Sequence, residues 1–423
     1  MAAPRLPLDR PRFTLDNAGV AAVLGGDEAV SAMATIHVYE KGRGLGWYNS
    51  PGSYQIARRY GLLARSRFSD QLSPGVHTDP AKLFELEGWK GPQFKAAHSR
   101  TVIEETGYLA SLFMKECATL EGKVVEGRKT QSVAVTIAEL NHVPPPHMDL
   151  KRTNVFTPIF ASIPVFFSIG TCVACGVFED WYSSSMILLG ILTGGVCCLA
   201  IGSGKLALSY PESAKGSPPG DGILGSDNEF ILLKGAEGAV NSITSGRISL
   251  SFSSESQFKT IGWCSVLLTI QCIAQLLLIP QGTLFGQIMF IASLGVSWLY
   301  NSRISSPYAK IQRDILFDNV LKKPILTKYV FGTRTGMVAF VLLVLQPEEP
   351  IKLLDELLPN DTKVWRKWKK IIARRFRNRE KFEFVDAEWE LEGFSEKERD
   401  LLKTLHHDAS AGYRGYVHYS TSS

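Results

Sequence analysis

The sequence predicts an α-helical membrane protein, a four-span bundle with cytoplasmic α+β domains, and two observations predict it. Residues 153–178, 181–204 and 260–302 contain no Asp, Glu, Lys or Arg, although the 423-residue chain carries 46 Lys/Arg and 41 Asp/Glu. These blocks total 93 residues. The remaining residues hold all the charge at about 26%, ordinary for a water-facing chain. A mean hydropathy near zero therefore averages two compositions and describes neither. The same composition excludes collagen-like, wholly disordered and disulfide-scaffold classes.

Residues 1–35 are Pro/Ala/Gly-rich with Asp9 and Asp16 and read as a disordered tail, without a signal or transit peptide, so the first span is expected to direct insertion. Residues 36–150 read as a cytoplasmic α+β segment. A short strand is predicted over 36–39, helices over 54–67 and 101–120, and a strand where Val133, Val135 and Ile137 alternate. Pro144-Pro145-Pro146 gives a stiff lead into the membrane.

A helix needs about 20 apolar residues to cross a hydrocarbon core. The charge-free blocks supply spans at 155–177, 184–204, 261–279 and 283–300, the last two joined by a hairpin at Pro280-Gln281-Gly282. Trp181, Tyr182, Trp263, Trp298 and Tyr300 mark span ends, as interfacial aromatics do. Lys151, Arg152, Lys205, Lys259, Arg303, Lys310 and Arg313 all flank the same side, which predicts cytoplasmic N and C termini. Residues 336–345 are apolar but too short to span, and a fifth span would place the basic C-terminal region outside; a buried helix is expected.

The loop 205–259 opens with a Pro/Gly/Ser-rich linker at 212–227. A strand (230–234), a short helix (236–244) and a strand (248–252) follow, and these strands are expected to join those of the N-terminal segment in one sheet. In the C-terminal region 303–423, helices are predicted at 309–321 and, behind Pro350, at 351–358. A basic amphipathic helix follows at 362–381. Trp365, Trp368, Ile372 and Phe376 share its apolar face with Ile371, while Lys369, Lys370, Arg374 and Arg377 lie opposite. Two readings compete: these eight residues contact the membrane surface and anionic lipid head groups, or the Trp face packs on a cytoplasmic domain and the basic face is solvated. Calmodulin-type or nucleic-acid binding shares the composition, but no nucleic-acid partner is expected. The acidic stretch 382–400 is placed to mask the basic helix.

The spans contain no Asp, Glu, Lys, Arg or His, which argues against an ion-coupled transporter. Their polar groups are amides, Gln271 and Gln275 one turn apart and Gln287 in the next span, expected to join helices or else to line a polar pore. Gly190, Gly194, Cys198 and Gly202 recur every four residues, a smooth stripe for helix packing within the chain or in a homo-oligomer. Cys172-x-x-Cys175 lies in an apolar span without a second pair, and the histidines lack metal-ligand spacing. Gly202-Ser203-Gly204-Lys205 lacks the first glycine and the final Ser/Thr of a phosphate loop. No catalytic residue, cofactor or metal site is therefore predicted, and an enzyme is disfavoured.

The stretches GSPPGDGILGSD (216–227), LLIPQGTLFGQIMFIASLGVSWLYNS (277–302) and LLPNDTKVWRKWK (357–369) resemble uncharacterised multi-pass membrane proteins of mushroom-forming (basidiomycete) fungi, over roughly residues 36–375. The resemblance implies a membrane protein and carries no activity or site. The leading expectation is a non-enzymatic scaffold or lipid-surface sensor acting with a cytoplasmic protein partner. A small channel or transporter for a neutral solute is the alternative, and a membrane-associated enzyme the third. A cavity lined by Gln271, Gln275 and Gln287 would favour transport, and a closed bundle the scaffold.

Overall fold

The computed structural model describes residues 29–30, 32, 46–70, 90–150, 158–225, 228–251, 255–305, 312–385 and 393–422. The expected strand at 36–39 and all of the tail except Ala29, Val30 and Ala32 lie outside the described residues. In chain order the elements are α1 (Ser53–Asp70), β1 (Gln93–Ala96), β2 (Val102–Ile103), α2 (Tyr108–Ala118), β3 (Lys123–Val124), β4 (Val133–Leu140) and β5 (His147–Asp149). Next come α3 (Pro158–Val177), α4 (Trp181–Gly202), β6 (Lys205–Ser209), β7 (Gly222–Gly225), β8 (Glu229–Gly235), α5 (Glu237–Thr244) and β9 (Arg247–Ser251). The chain continues with α6 (Glu255–Leu278), α7 (Leu284–Ser305), a π-helical turn (Ile315–Val320), β10 (Ile325–Phe331), α8 (Arg334–Leu345), α9 (Pro350–Leu357), α10 (Lys363–Arg377) and α11 (Glu396–Ser422). Two compact units share them: a helical unit drawn from 1–87, 147–208 and 248–315, and a sheet unit from 88–146, 209–247 and 316–423.

In the helical unit, α4, residues 259–281 and residues 284–303 are each long and apolar enough to cross a membrane. The described apolar stretch of α3, Ser162–Val177, is shorter. Polarity is inverted relative to a water-soluble bundle. Phe166, Val173, Leu192, Ile270, Leu277 and Leu299 are exposed, whereas Asn49, Ser168, Gln271, Ser293 and Asn301 are buried. A buried carboxylate ties two helix starts together. Asp180 caps α4 by accepting from the Ser183 N–H (3.0 Å) and hydroxyl (3.2 Å), and its Oδ2 also accepts from the Thr283 N–H (2.7 Å) and hydroxyl (2.6 Å) just ahead of α7. Helix N-termini present unpaired N–H groups and a partial positive charge, which is why a buried acid is stable there. A three-stranded sheet in the order β5-β6-β9 completes this unit.

The sheet unit holds a seven-stranded mixed sheet in the order β2-β1-β7-β8-β4-β10-β3. Its centre is the parallel pair β4 and β8, with Ile137 opposite Leu232; β10 runs antiparallel to β4 on the other side. Central strands covered on both faces need apolar side chains throughout, and β4 is buried at six of eight positions. On one face Val133, Val135, Ile137, Tyr329 and Phe331 meet α8, whose residues 335–342 are fully buried with Leu345, so this run is the interior helix expected of it. Lys328, buried in β10, donates to the Cys117 and Ala118 carbonyls (3.1 and 2.8 Å) and pairs with Glu229 (3.2 Å), so its charge neutralises the α2 C-terminus. The same burial pushes the Cys117 thiol up.

Several expectations are corrected. The helix predicted at 54–67 exists as α1 but belongs to the helical unit, because its Ile56, Ala57 and Tyr60 are buried there. The helix predicted at 101–120 begins only at Tyr108, since Val102–Ile103 pairs with β1 as a strand. Of the two loop strands, β8 enters the large sheet beside β4 and β9 does not; β9 joins β6. Asp180→Ala is expected to destabilise the helical unit by about 2–4 kcal/mol through loss of two caps and exposure of unpaired N–H groups. Thermal unfolding in detergent measures it, with about half that loss for Asp180→Asn.

Candidate functional site

Residues 46–52, just ahead of α1, do not run outside the helical bundle. Gly46 lies against Cys198, the Trp47 ring against Gly195, the Tyr48 carbonyl against Gly194, and the Asn49 amide against Gly190. From Cys198 to Gly190 is eight residues, about 12 Å along α4. At Pro51-Gly52 the chain turns into α1 and comes back, with the Ser265 hydroxyl donating to the Ala57 carbonyl (2.7 Å) and the Tyr60 hydroxyl to the Cys197 carbonyl (2.7 Å). Gly46 and Tyr60 thus meet α4 at one level, at Cys198 and Cys197. Asn49, its innermost residue, contacts Ser168, Gly190 and Ser293, the eleventh, tenth and tenth residues of α3, α4 and α7, each close to the middle of its helix.

The glycine stripe makes this possible. A β-carbon at Gly190 would collide with the Asn49 amide, and one at Gly194 would sit 2.9 and 3.0 Å from the Gly46 and Tyr48 carbonyl oxygens. The stripe Gly190, Gly194 and Cys198 therefore receives a non-helical backbone, and Gly202 is buried at the end of α4.

An irregular backbone in an apolar interior needs partners for its polar groups. The Asn49 N–H donates to Ser168 Oγ (3.1 Å), the Tyr48 hydroxyl to Asn301 Oδ1 (2.8 Å), and Asn301 Nδ2 to Ser50 Oγ (3.3 Å). The amides form a chain of fixed polarity. Ser293 Oγ donates to the Phe290 carbonyl (2.8 Å) and so accepts from Asn49 Nδ2 (2.8 Å). Asn49 Oδ1 accepts from Gln275 Nε2 (3.4 Å), whose identity as nitrogen is set by the Met186 carbonyl at 3.3 Å. Gln275 Oε1 then accepts from Gln271 Nε2 (3.4 Å). Gln271 Oε1 is left buried without a hydrogen-bond partner. It belongs to a residue lining a cavity of about 40 Å³ together with Tyr48, Ser50, Ser53, Tyr60 and Gly194.

Of the glutamines singled out by sequence as a cavity lining, Gln271 alone lines this cavity, and Gln275 joins it only through the hydrogen-bond chain. Gln287 does not, because its Nε2 donates to the Pro280 and Gly282 carbonyls (3.5 and 3.2 Å) and closes the turn before α7. Tyr48, Asn49, Ser50 and Ser53 were not predicted. Their signal is an uncharged run of 14 residues between Arg43 and Arg58, a length typical of re-entrant or buried segments.

The basic helix lies in the other unit. Trp368, Lys369 and Ile372 are buried, Trp365 and Phe376 pack against the same core, and Trp368 Nε1 donates to the Leu405 carbonyl (3.1 Å). Lys369 Nζ is held by Asp355 (2.7 Å) and the carbonyls of Leu358 and Asn360 (2.6 and 3.0 Å). The apolar face is therefore engaged by protein. Lys370, Arg374 and Arg377 remain exposed on the outer face with Arg366. Of the acidic stretch, residues 386–392 lie outside the described residues. Among the described residues no group of three or more His, Cys, Asp or Glu is placed to hold a metal ion.

No protein family, no curated protein and no solved structure matches the chain. Gly190→Ala is expected to cost about 1–3 kcal/mol by overpacking against Asn49. Thermal unfolding in detergent checks this against Gly170→Ala and Gly295→Ala, whose added β-carbons meet nothing within 4 Å and which are expected to be neutral or stabilising.

Proposed function

We propose that the chain is an integral membrane protein of four spans, α3, α4, α6 and α7, that admits a small uncharged polar solute through its helical unit. The observation carrying this reading is residues 46–53: non-helical backbone midway along apolar helices, lined by amides and hydroxyls. Such backbone is tolerated at membrane depth where it is buried in protein or borders a polar cavity, as in re-entrant loops of channels and broken helices of transporters. The exposed apolar belt with a polar interior supports the same setting. The absence of Asp, Glu, Lys, Arg and His from the charge-free blocks favours a neutral solute over an ion.

Four spans place Lys151, Arg152, Lys205, Lys259 and Arg303 on one side, the cytoplasmic side by the charge rule. In this reading the segment enters from that side, and the sheet unit is a water-facing domain for partners. The fungal membrane proteins that the sequence resembles fit the setting without adding a mechanism.

The test is solute flux into vesicles containing the purified full chain, followed by light scattering after a step in external urea. Re-swelling faster than in protein-free vesicles is expected, with Asn49→Leu reducing it at least tenfold. No flux above protein-free vesicles would sink the transport reading. The scaffold reading would then lead, with the exposed basic face of α10 as the surface available to a partner or to anionic head groups.

A further inference from the structure

A hydrogen-bond chain whose direction is fixed ends in an unsatisfied group of known type, and that type identifies the ligand. The chain runs from the Phe290 carbonyl through Ser293, Asn49 and Gln275 to Gln271, each step an N–H or O–H donating toward the Phe290 end. What remains at the cavity is an acceptor. Gln271 is 2% exposed and its Oε1 has no partner. A buried unpaired acceptor costs about 1–3 kcal/mol, so a native structure retains one chiefly where a water or ligand satisfies it.

We infer that this cavity binds a small uncharged hydrogen-bond donor, whose N–H or O–H is accepted by Gln271 Oε1. Size follows from the volume. One water-sized probe needs about 10–15 Å³ by the same measure, so 40 Å³ holds about three such spheres, room for a solute of up to about four non-hydrogen atoms. Charge follows from the surroundings. Among the described residues no carboxylate lines the cavity. Ser53, on its wall, opens α1, so the positive end of that helix dipole lies at the cavity, with Arg58 and Arg59 one to two turns further on. A cation would be desolvated there without a counter-charge, whereas a neutral amide or hydroxyl donor meets an acceptor and small walls at Gly46, Gly190 and Gly194. Water, urea and short alcohols belong to this class.

The inference rests on the transport reading, and the two fail differently. Gln271→Met keeps the length of the side chain and removes both the acceptor and the Nε2–H that Gln275 Oε1 accepts. In vesicles holding the full chain, urea flux through Gln271→Met is expected to fall about tenfold, the effect of one lost hydrogen bond of roughly 1.4 kcal/mol. The thermal midpoint in detergent is expected to stay level, because one unsatisfied buried acceptor, Gln271 Oε1, is deleted while another, Gln275 Oε1, loses its donor. Equal urea flux in wild type and Gln271→Met would overturn the site while leaving transport standing. No urea flux in wild type would overturn the transport reading and, with it, this substrate class. A tenfold loss accompanied by a lowered midpoint would assign Gln271 to packing and overturn the site.

Discussion

An extended backbone leaves one N–H and one C=O per residue without the partners that a helix provides, and in an apolar interior each unpaired group costs on the order of a hydrogen bond or more. Residues 46–53 meet that constraint midway along three apolar helices, α3, α4 and α7. Ser168 takes the Asn49 N–H, and Ser293 and Gln275 take the two ends of its amide. The glycines of α4 let the backbone come close enough for these bonds to form. Asp180 imposes a related order at the opposite end of α4, where one carboxylate holds the starts of two helices. Without these polar ties the apolar helices would have little to fix their register, because lipid tails solvate Leu as well as another helix does.

The sheet unit obeys the opposite rule. It is ordered by apolar burial, with α8 embedded against β4 and β10, and its two buried lysines are tolerated because each is saturated. Lys328 sits on the carbonyl end of α2, and Lys369 on an acid and two carbonyls. Arg128 clamps Asp408 of α11 through both of its guanidinium contacts (3.3 and 2.7 Å), a hydrogen-bonded pairing that also raises the arginine's pKa. Charge in this unit is therefore structural at its interior and available only on outer faces such as that of α10.

The apolar helices were legible because a charge-free run of about 20 residues matches the thickness of a bilayer and exceeds what a water-soluble core helix requires, and Pro280-Gln281-Gly282 marked the hairpin. The burial of residues 336–345 was legible from length alone. The site was half legible. Gln271 and Gln275 stood out as amides in an apolar run, but their partner Asn49 lies more than 200 residues away in a segment without helical or strand period. Only the missing charge between Arg43 and Arg58 marks it. The glycine stripe was visible as a surface for close approach, yet spacing cannot tell a helix from a strand-like segment as its occupant. Strand β9 was assigned to the wrong sheet because two-residue alternation reports a buried face and not a neighbour. The fate of the Trp face on α10 turned on tertiary contacts with α11 that periodicity does not encode.

In the proposed transport reading, residues 46–53 dip into the bilayer and return. Tyr54, 59% exposed in the first turn of α1, reports it directly when replaced by a nitroxide-labelled cysteine in a chain whose other cysteines are removed. Power-saturation electron paramagnetic resonance in lipid vesicles compares its contact with oxygen, which concentrates in hydrocarbon, and with a nickel chelate, which stays in water. High oxygen and low chelate contact, with a depth about 12 Å beyond that of a label at the exposed Leu62, eight residues further along α1, is the predicted result. Chelate contact at Tyr54 equal to that at an exposed sheet-unit position such as Lys370 would contradict it.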